Sequence, residues 1–210
     1  MPSQANILPI AVMASGRGSN LQAIIDEIEK GNLSAEIKLV LSDKPNAGAL
    51  GRAEQHGIPA KVIERKHFSS REEFNSALAD EVEASGARLV CLAGFMRILS
   101  GDFISRFDGW VINIHPALLP SFPGLDAQKQ ALDYGVMVSG ATVHFVDEGV
   151  DTGPIISQAV VNVEPHDTVE TLSARILEKE HIIYPNAIRL ISLGQVTQNS
   201  GKQVRPASHS

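Results

Sequence analysis

Cysteine, aromatic residues and clusters of basic residues are all scarce in this sequence. Cys91 is the only cysteine, so no disulfide can form within the chain and no cysteine-based metal site is expected. Aromatic residues make up 5% of the chain, and the net charge is −6. Lys and Arg form no stripe of the kind that nucleic-acid-binding proteins carry, so we expect no nucleic acid as a partner. A small phosphorylated substrate remains compatible with this charge, because it needs only a local pocket.

Long apolar runs are also missing. No segment approaches the length of about 20 apolar residues that a membrane-spanning helix needs. The first residues lack the basic start and the small-residue cleavage site of a signal peptide. We therefore expect a cytoplasmic protein with no membrane partner. At 210 residues, 43% hydrophobic and 20% charged, the chain suits one globular domain with a sizeable core.

Short apolar segments alternate with segments of helical periodicity, which is typical of βαβ units and a parallel sheet. The predicted strands of this part are 7–13, 37–41, 60–63, 89–93 and 111–115. The predicted helices are about 21–31, 47–56, 71–85, 100–107, 127–134 and 168–193. The segments 139–146 and 154–163 alternate with no helix between them, which predicts a strand pair that closes the sheet beyond the strand at 111–115.

The predicted fold is therefore α/β. We expect a single-domain, Rossmann-like open sheet that is parallel in its N-terminal half, with an antiparallel strand pair in its C-terminal half and a long C-terminal helix. The domain is predicted to cover 1–193. The segment 194–210 is polar and has no periodicity, which predicts a disordered tail.

The most informative stretch is VINIHPALLPSFPG, at 111–124. Successive side chains of a strand point to opposite faces, so Asn113 and His115 share one face. Pro116 follows at once, and proline cannot continue a central strand, so the strand is predicted to end at His115. An amide and an imidazole thus project together from the carboxyl end of a strand, where open α/β sheets bind ligands.

The turn ASGRGSN, at 14–20, lies between the first strand and the first helix. Gly16 and Gly18 allow close approach of the backbone, and a helix N-terminus offers free N–H groups and a positive dipole end. Ser19 or Asn20 can cap that helix. The turn suits a phosphate, but glycine turns between strand and helix are also common for structural reasons, so it is weak evidence alone.

A second loop, after the strand at 89–93, is unusually apolar. Phe95, Met96, Ile98 and Leu99 follow the strand's carboxyl end. They suit the wall of a pocket for a flat heteroaromatic ligand. They would equally suit a cover for the core, and the residues alone leave both interpretations open.

The loop between the two alternating segments is acidic. Asp147, Glu148 and Asp151 crowd it, although acidic loop residues are usually solvated turn formers. An acid brought near His115 would hold the imidazole and favour its protonated form. His144 is most simply a structural histidine. No Ser or Cys has a nucleophile-elbow context and no spacing suggests a metal site, so neither covalent nor metal-dependent catalysis is expected.

Five motifs together resemble those of the phosphoribosylglycinamide formyltransferase family, the folate-dependent enzymes of purine synthesis. In chain order they are ASGRGSN, GFMRIL, NIHPALLPSFPG, HFVDEGVDTGPII and KEHIIYP. The resemblance runs from about residue 7 to 193. It implies a substrate-phosphate part at about 7–110 and a folate and catalytic part at about 111–193.

The resemblance implies three sets of site residues. The catalytic residues are Asn113, His115 and Asp151. The residues that bind phosphoribosylglycinamide are Gly18, Ser19, Asn20 and Glu180. The residues that bind the folate are Arg71, Met96, Arg97, Ile98, Leu99, Asn113, Asp147, Glu148, Gly149, Val150 and Asp151. No metal is implied, and 10-formyltetrahydrofolate is the implied co-substrate.

The implied mechanism is direct formyl transfer. The amine of phosphoribosylglycinamide attacks the formyl carbon, and a tetrahedral intermediate forms. Asn113 and protonated His115 stabilise its oxyanion, while Asp151 raises the His115 pKa and helps to move a proton, through water, to the leaving nitrogen. Two positions depart from the family pattern. Asp126 stands where bacterial members often have histidine, which puts an auxiliary histidine role in doubt, and Arg17 replaces a common asparagine and is expected to tighten phosphate binding.

Other functions share this fold and these three residues. Formyltetrahydrofolate hydrolases usually carry an additional N-terminal domain, and the first predicted strand here starts by about residue 7. Methionyl-tRNA formyltransferases carry a further C-terminal domain and a basic surface, which this acidic chain is not expected to have. A non-catalytic folate-binding protein would be expected to lack the catalytic residues. The transferase is the favoured interpretation, as a monomer or homodimer.

Overall fold

The computed structural model describes residues 7–196 and the backbone of 197, 205 and 206. Its chain forms two compact units that divide between Asn113 and Ile114. The prediction that 1–193 form one functional domain stays a prediction. No helix among the described residues is long and apolar enough to cross a membrane.

The first unit alternates strands and helices. Its strands are β1 (Leu8–Met13), β2 (Ala35–Ser42), β3 (Ala60–Val62), β4 (Leu89–Leu92) and the start of β5 (Val111–His115). Its helices are α1 (Ser19–Glu29), α2 (Gly48–Gln55), α3 (Arg71–Ala84) and α4 (Gly101–Arg106), with one 3₁₀ turn at Arg65–His67. β1 pairs in parallel with β2 and β4, β2 with β3, and β4 with β5, as the alternation of strands and helices predicted.

The second unit contains the remaining elements. They are α5 (Ala127–Tyr134), β6 (Val138–Phe145), β7 (Ile155–Asn162), α6 (Val169–Ser192), β8 (Val196–Thr197) and β9 (Arg205–Pro206). β6 and β7 pair antiparallel. The sheet order is β3-β2-β1-β4-β5-β6-β7, so the predicted mixed sheet, with its antiparallel pair next to β5 and a long C-terminal helix, is confirmed.

Burial explains why the strands of the first unit read as continuous apolar runs. The last four residues of β1, from Ile10 onward, are fully buried, and all of β4 is buried. Strands of a parallel sheet are covered on both faces, so neither face needs polar residues. α3 shows the complementary pattern, because Phe74, Leu78 and Val82 form the predicted stripe and are all buried.

α6 begins at a well-formed cap. The Thr168 side chain accepts from the N–H of Thr171, and the Thr171 side chain accepts from the N–H of Thr168. Beyond α6, the predicted tail at 194–210 contains the short antiparallel pair of β8 and β9. Residues 198–204 and 207–210 lie outside the described residues, so the predicted disorder stays a prediction there.

Candidate active site

The first candidate group lies where β5 ends. The strand runs Val111–His115, so its predicted end before Pro116 is confirmed. Asn113 is half-buried and pairs in register with Leu92 of β4, whereas His115 is almost fully buried. Because side chains alternate along a strand, Asn113 and His115 leave it on the same face. An amide and an imidazole therefore stand together at the carboxyl end of the strand.

His115 is held between two acceptor atoms. Its Nε2 lies 2.8 Å from the main-chain oxygen of Phe122, and its Nδ1 lies 3.2 Å from Oδ2 of Asp151. A carbonyl oxygen only accepts, so Nε2 carries a proton and donates to Phe122. Nδ1 faces a carboxylate, so this second contact is a hydrogen bond only while Nδ1 also carries a proton. The acid that meets His115 is Asp151.

Asp151 is shared by two imidazoles. Its Oδ2 also accepts a hydrogen bond from the N–H of Gly124 at 2.8 Å, and its Oδ1 lies 3.5 Å from Nε2 of His144. Nδ1 of His144 donates to the main-chain oxygen of Phe145 at 2.8 Å. The sequence alone favoured a structural role for His144, whereas this residue belongs to the candidate site. The only sequence signal for this was its place on the strand that leads into the Asp151 loop.

Burial dominates the titration of His115. Loss of hydration lowers its pKa below the ordinary value of 6.5, although the contacts with Phe122 and Asp151 both raise it. Asp151 does raise the His115 pKa, as expected, but burial has the larger effect, so the net pKa lies below the ordinary value. Burial alone would raise the pKa of Asp151, but hydrogen bonds from His144 and Gly124 and the nearby imidazoles bring it below the ordinary 3.8. An ionised carboxylate thus faces a mainly neutral histidine near pH 7.

A buried threonine holds the loop that follows β5. Thr142 Oγ1 donates to the main-chain oxygen of Ala117 at 2.7 Å and accepts from the N–H of Leu119 at 3.1 Å. Gln158 Nε2 donates to Thr142 Oγ1 at 3.0 Å and to the oxygen of Leu119 at 2.9 Å. This loop carries Phe122, which accepts from His115. Sequence reasoning missed Thr142 and Gln158, because nothing local in an alternating strand marks one polar residue as a loop anchor.

The acidic loop after β6 is stabilised from within. Asp147 Oδ1 accepts from the N–H of Gly149 at 3.0 Å and from Thr152 Oγ1 at 2.6 Å. Glu148 and Val150 are exposed. Asp147 therefore forms the turn, whereas the Asp151 side chain is largely buried and reaches His115.

The glycine turn lies between β1 and α1. Gly18 has a φ of 74°, and a Cβ there would stand 2.6 Å from Cα of Ala49. Gly16 would meet nothing within 4 Å, so only Gly18 is required for close approach, and what approaches is α2. The expected cap by Ser19 or Asn20 is wrong. α1 begins at Ser19, its N-cap is Gly18, and Gly18 has no side chain that could cap it.

The apolar loop after β4 divides into two pairs. Phe95 and Leu99 are buried and cover the core, whereas Met96 and Ile98 are each 57% exposed. Phe95 and Leu99 thus agree with the interpretation as a cover for the core, whereas a pocket wall formed by Met96 and Ile98 stays a prediction. Arg71, the first residue of α3, donates through Nη2 to the main-chain oxygens of Ile98 and Leu99, both at 3.2 Å.

Glu180, which was predicted to bind the glycinamide substrate, lies in the middle of α6 and is buried. Within the part of the chain that the structure describes, no group of three or more His, Cys, Asp or Glu residues is arranged to hold a metal ion. The expected absence of a metal stays a prediction.

Known proteins resemble this chain over most of its length. Residues 8–188 match the family model described as formyl transferase. The chain is 44% identical to the phosphoribosylglycinamide formyltransferase of Bacillus subtilis, over 85% of this chain and 92% of that protein. The crystal structure of glycinamide ribonucleotide transformylase 1 from Symbiobacterium toebii matches with a TM-score of 0.95 at 47% identity, and covers 98% of this chain and 97% of its own.

A longer relative contains the same region. The trifunctional purine biosynthetic protein adenosine-3 of Gallus gallus is 50% identical over 92% of this chain. The matched region makes up only 19% of that longer protein. The shared region is thus a small part of the multifunctional relative and nearly all of the bacterial ones. With its family model covering most of the described residues, the chain belongs to the formyl transferase family.

Proposed function

We propose that the protein transfers the formyl group of 10-formyltetrahydrofolate to the amine of phosphoribosylglycinamide. The products are N-formylglycinamide ribonucleotide and tetrahydrofolate. The observation that carries this proposal is the buried contact between Asp151 and His115, the last residue of β5, with Asn113 on the same face of that strand. It is supported by similarity, over nearly the whole chain, to bacterial proteins that are named for this activity.

In the proposed reaction the amine attacks the formyl carbon directly. A new carbon–nitrogen bond forms, the carbonyl oxygen becomes an oxyanion, and the bond to the folate nitrogen then breaks. The Asn113 amide donates a hydrogen bond to the oxyanion, and His115 donates through Nε2, which exchanges the oxygen of Phe122 for the oxyanion. Loss of one such donor in acyl transfer typically costs about 3 kcal/mol of transition-state stabilisation.

The pKa of His115 suits this role. Burial keeps the ring mainly neutral in the resting enzyme, where a charged ring would be poorly hydrated. The attacking amine becomes cationic as the new bond forms and passes one proton, through water, to Nδ1 of His115, and the Asp151 carboxylate and the oxyanion stabilise the resulting imidazolium. The same proton then passes, through water, to the leaving folate nitrogen, which returns His115 to its neutral form. Every bond broken is matched by one formed, and no covalent enzyme intermediate is needed.

The phosphate of the glycinamide substrate is proposed to bind at the start of α1. The N-cap residue there is a glycine, so no N-cap side chain competes for the first N–H groups of the helix. Gly18, Ser19 and Asn20 supply this turn, and Arg17 adds positive charge. Glu180 is proposed to accept a hydrogen bond from the glycinamide.

The folate is proposed to lie against the loop after β4. Met96 and Ile98 present apolar surface to solvent there, and Arg97 and Leu99 complete the segment. Arg71 supplies a cation for a carboxylate of the folate. The segment Asp147, Glu148, Gly149, Val150 and Asp151 of the second unit is proposed to contact the folate as well.

The decisive experiment follows absorbance during turnover of 10-formyl-5,8-dideazafolate with and without phosphoribosylglycinamide. We expect turnover only when the glycinamide is present, and a large fall in its rate in Asn113→Ala and Asp151→Asn. Asp80→Ala is the matched control, because Asp80 is an exposed acid that pairs with Arg106 on the surface.

Each outcome assigns the chain to one class. Equal turnover without the glycinamide would mean that the protein is a formyltetrahydrofolate hydrolase. Folate binding with no turnover under either condition would mean a non-catalytic binding protein. The cytoplasmic location and the monomeric or homodimeric state remain predictions.

A further inference from the structure

A carboxylate is buried in the first unit, at the end of β2. The side chain of Asp43, which directly follows Ser42, is 0% exposed. Its Oδ1 accepts from Ser15 Oγ at 2.6 Å, and its Oδ2 accepts from Arg97 Nε at 2.6 Å. Both oxygens of the acid are therefore occupied by partners from other segments of the same unit.

These partners hold the main chain of the apolar loop. Ser15 Oγ accepts from the N–H of Met96 at 2.9 Å, and the N–H of Ser15 donates to the oxygen of Gly94 at 3.0 Å. Arg97, which follows Met96 in the loop, donates a hydrogen bond directly to the Asp43 carboxylate. Farther along, Arg71 binds the oxygens of Ile98 and Leu99. The loop is thus anchored at nearly every residue.

This anchoring contrasts with the exposure of the loop. Met96 and Ile98 are each 57% exposed, so they add little to the core. Burial of an ionised carboxylate is costly unless it is paired, and a buried ion pair rarely stabilises a fold better than apolar side chains of the same volume. The network therefore does something that apolar packing would not do: it sets the position of two exposed apolar side chains.

We propose that Asp43 is a positioning residue for the folate. Through Ser15 and Arg97 it fixes the main chain at 96–97, so that Met96 and Ile98 already form an apolar wall for a flat heteroaromatic ring before the folate arrives. Pre-formed sites bind more tightly because less ordering is required on binding. Asp43 itself does not touch the folate. The inference rests on the proposed function, since it takes the loop after β4 as the folate site.

The test measures the dissociation constant of 10-formyl-5,8-dideazafolate by calorimetry, together with KM for both substrates and kcat. In Asp43→Ala we expect folate binding to weaken about tenfold, which corresponds to ~1.4 kcal/mol. KM for the glycinamide and kcat at saturation should stay within about twofold, because the main-chain oxygens of Gly16 and Arg17, next to the proposed phosphate site, accept from the N–H of Ala49 and from Arg52 Nε of α2, and neither bond involves Asp43. Asp43→Asn should recover most of the affinity, because an amide can still accept from Arg97 and bond to Ser15.

The control is Asp80→Ala, which removes an acid of another ion pair in the same unit and should leave folate binding unchanged. If Asp43→Ala does not fold, Ser15→Ala decides, since it removes the hydroxyl that joins Asp43 to Met96 and should weaken folate binding in the same way. Unchanged folate affinity in the folded variant, or an equal rise of both KM values, would overturn the inference and leave the proposed function intact. Absence of folate binding in the unaltered protein would overturn the proposed function, and this inference with it.

Discussion

Nδ1 of His115 lies 3.2 Å from Oδ2 of Asp151, and both side chains are largely buried. The two residues come from the end of β5 and from the loop after β6, so the pair depends on how the second unit folds. The same carboxylate also faces His144, at 3.5 Å. One carboxylate therefore lies next to two imidazoles, and its negative charge acts on both rings of the candidate site.

Asp151→Asn should lower kcat strongly with little change in KM for the folate. The amide can still accept from the N–H of Gly124, so the loop should keep its shape, but the charge that stabilises the His115 imidazolium is lost. We expect kcat to fall by about a hundredfold, within the range of general acid–base effects. Steady-state kinetics check this. Asp133→Asn, an exposed acid on α5 paired with Lys129, is the control and should behave like the unaltered protein.

The His115 ring should titrate below pH 6.5, because burial lowers its pKa. NMR titration of the ring protons measures this directly, and Asp151→Asn should lower the value further by removing the charge that raises it. A measured pKa above 6.5 would show that the carboxylate, and not the loss of hydration, dominates the titration of the ring.

The stability of the protein should fall as the pH drops below 6.5. Unfolded His115 takes up a proton near that value, whereas the folded ring resists protonation, so the unfolded state binds more protons in this window. Asp151 adds to the loss below its ordinary pKa of 3.8, since its pKa is also lowered by folding. Denaturant unfolding at several pH values should show this fall, and His115→Gln should flatten the part below pH 6.5. An unchanged slope in that variant would mean that other groups cause it.

Thr142→Val should destabilise the loop that carries Phe122. The change keeps the shape of the side chain but leaves the N–H of Leu119 and the oxygen of Ala117 without their partner, at a cost of about 1–3 kcal/mol each when buried. We expect a lower melting temperature and a lower kcat. Thr142→Ser restores the hydroxyl and should recover most of both, and failure of that rescue would assign the effect to packing.

Gly18→Ala should cost more stability than Gly31→Ala. Both glycines have a φ of 74°, so both substitutions carry the strain of a left-handed residue, about 1–2 kcal/mol. Only at Gly18 would the new Cβ meet an obstacle, Cα of Ala49 at 2.6 Å. Overpacking of this kind adds roughly 1–3 kcal/mol. Equal losses by denaturant unfolding would mean that α2 moves aside without cost.

The periodic parts of the chain could be predicted well. The strand at Val111–His115 and the helix at Ala127–Tyr134 agree with the predicted 111–115 and 127–134. Local signals explain this, since alternation, proline positions and helical spacing are properties of neighbouring residues. The shared face of Asn113 and His115 could be predicted for the same reason, because it follows from the two-residue period of side chains in a strand.

The rest could not be predicted, because it joins residues that are distant along the chain. Gly124 donates to Asp151, His144 lies beside the same carboxylate, and Thr142 and Gln158 bind the loop after β5. Each of these contacts joins separate segments of the chain. The predicted cap of α1 was wrong for a similar reason. Ser19 and Asn20 are plausible N-caps locally, but the helix begins after Gly18, which has a left-handed φ and lies close to Ala49 of α2.

The sequence by itself determined the order of strands and helices, the end of β5 and the residue types that meet there, because these follow from local sterics and the period of side chains. The resemblance named Asp151 as the acid beside His115, but only the tertiary structure decided which residues support that pair and in which direction the pKa of His115 moves. Hydration is lost through the packing of the whole unit, and no local pattern records how much water a side chain keeps.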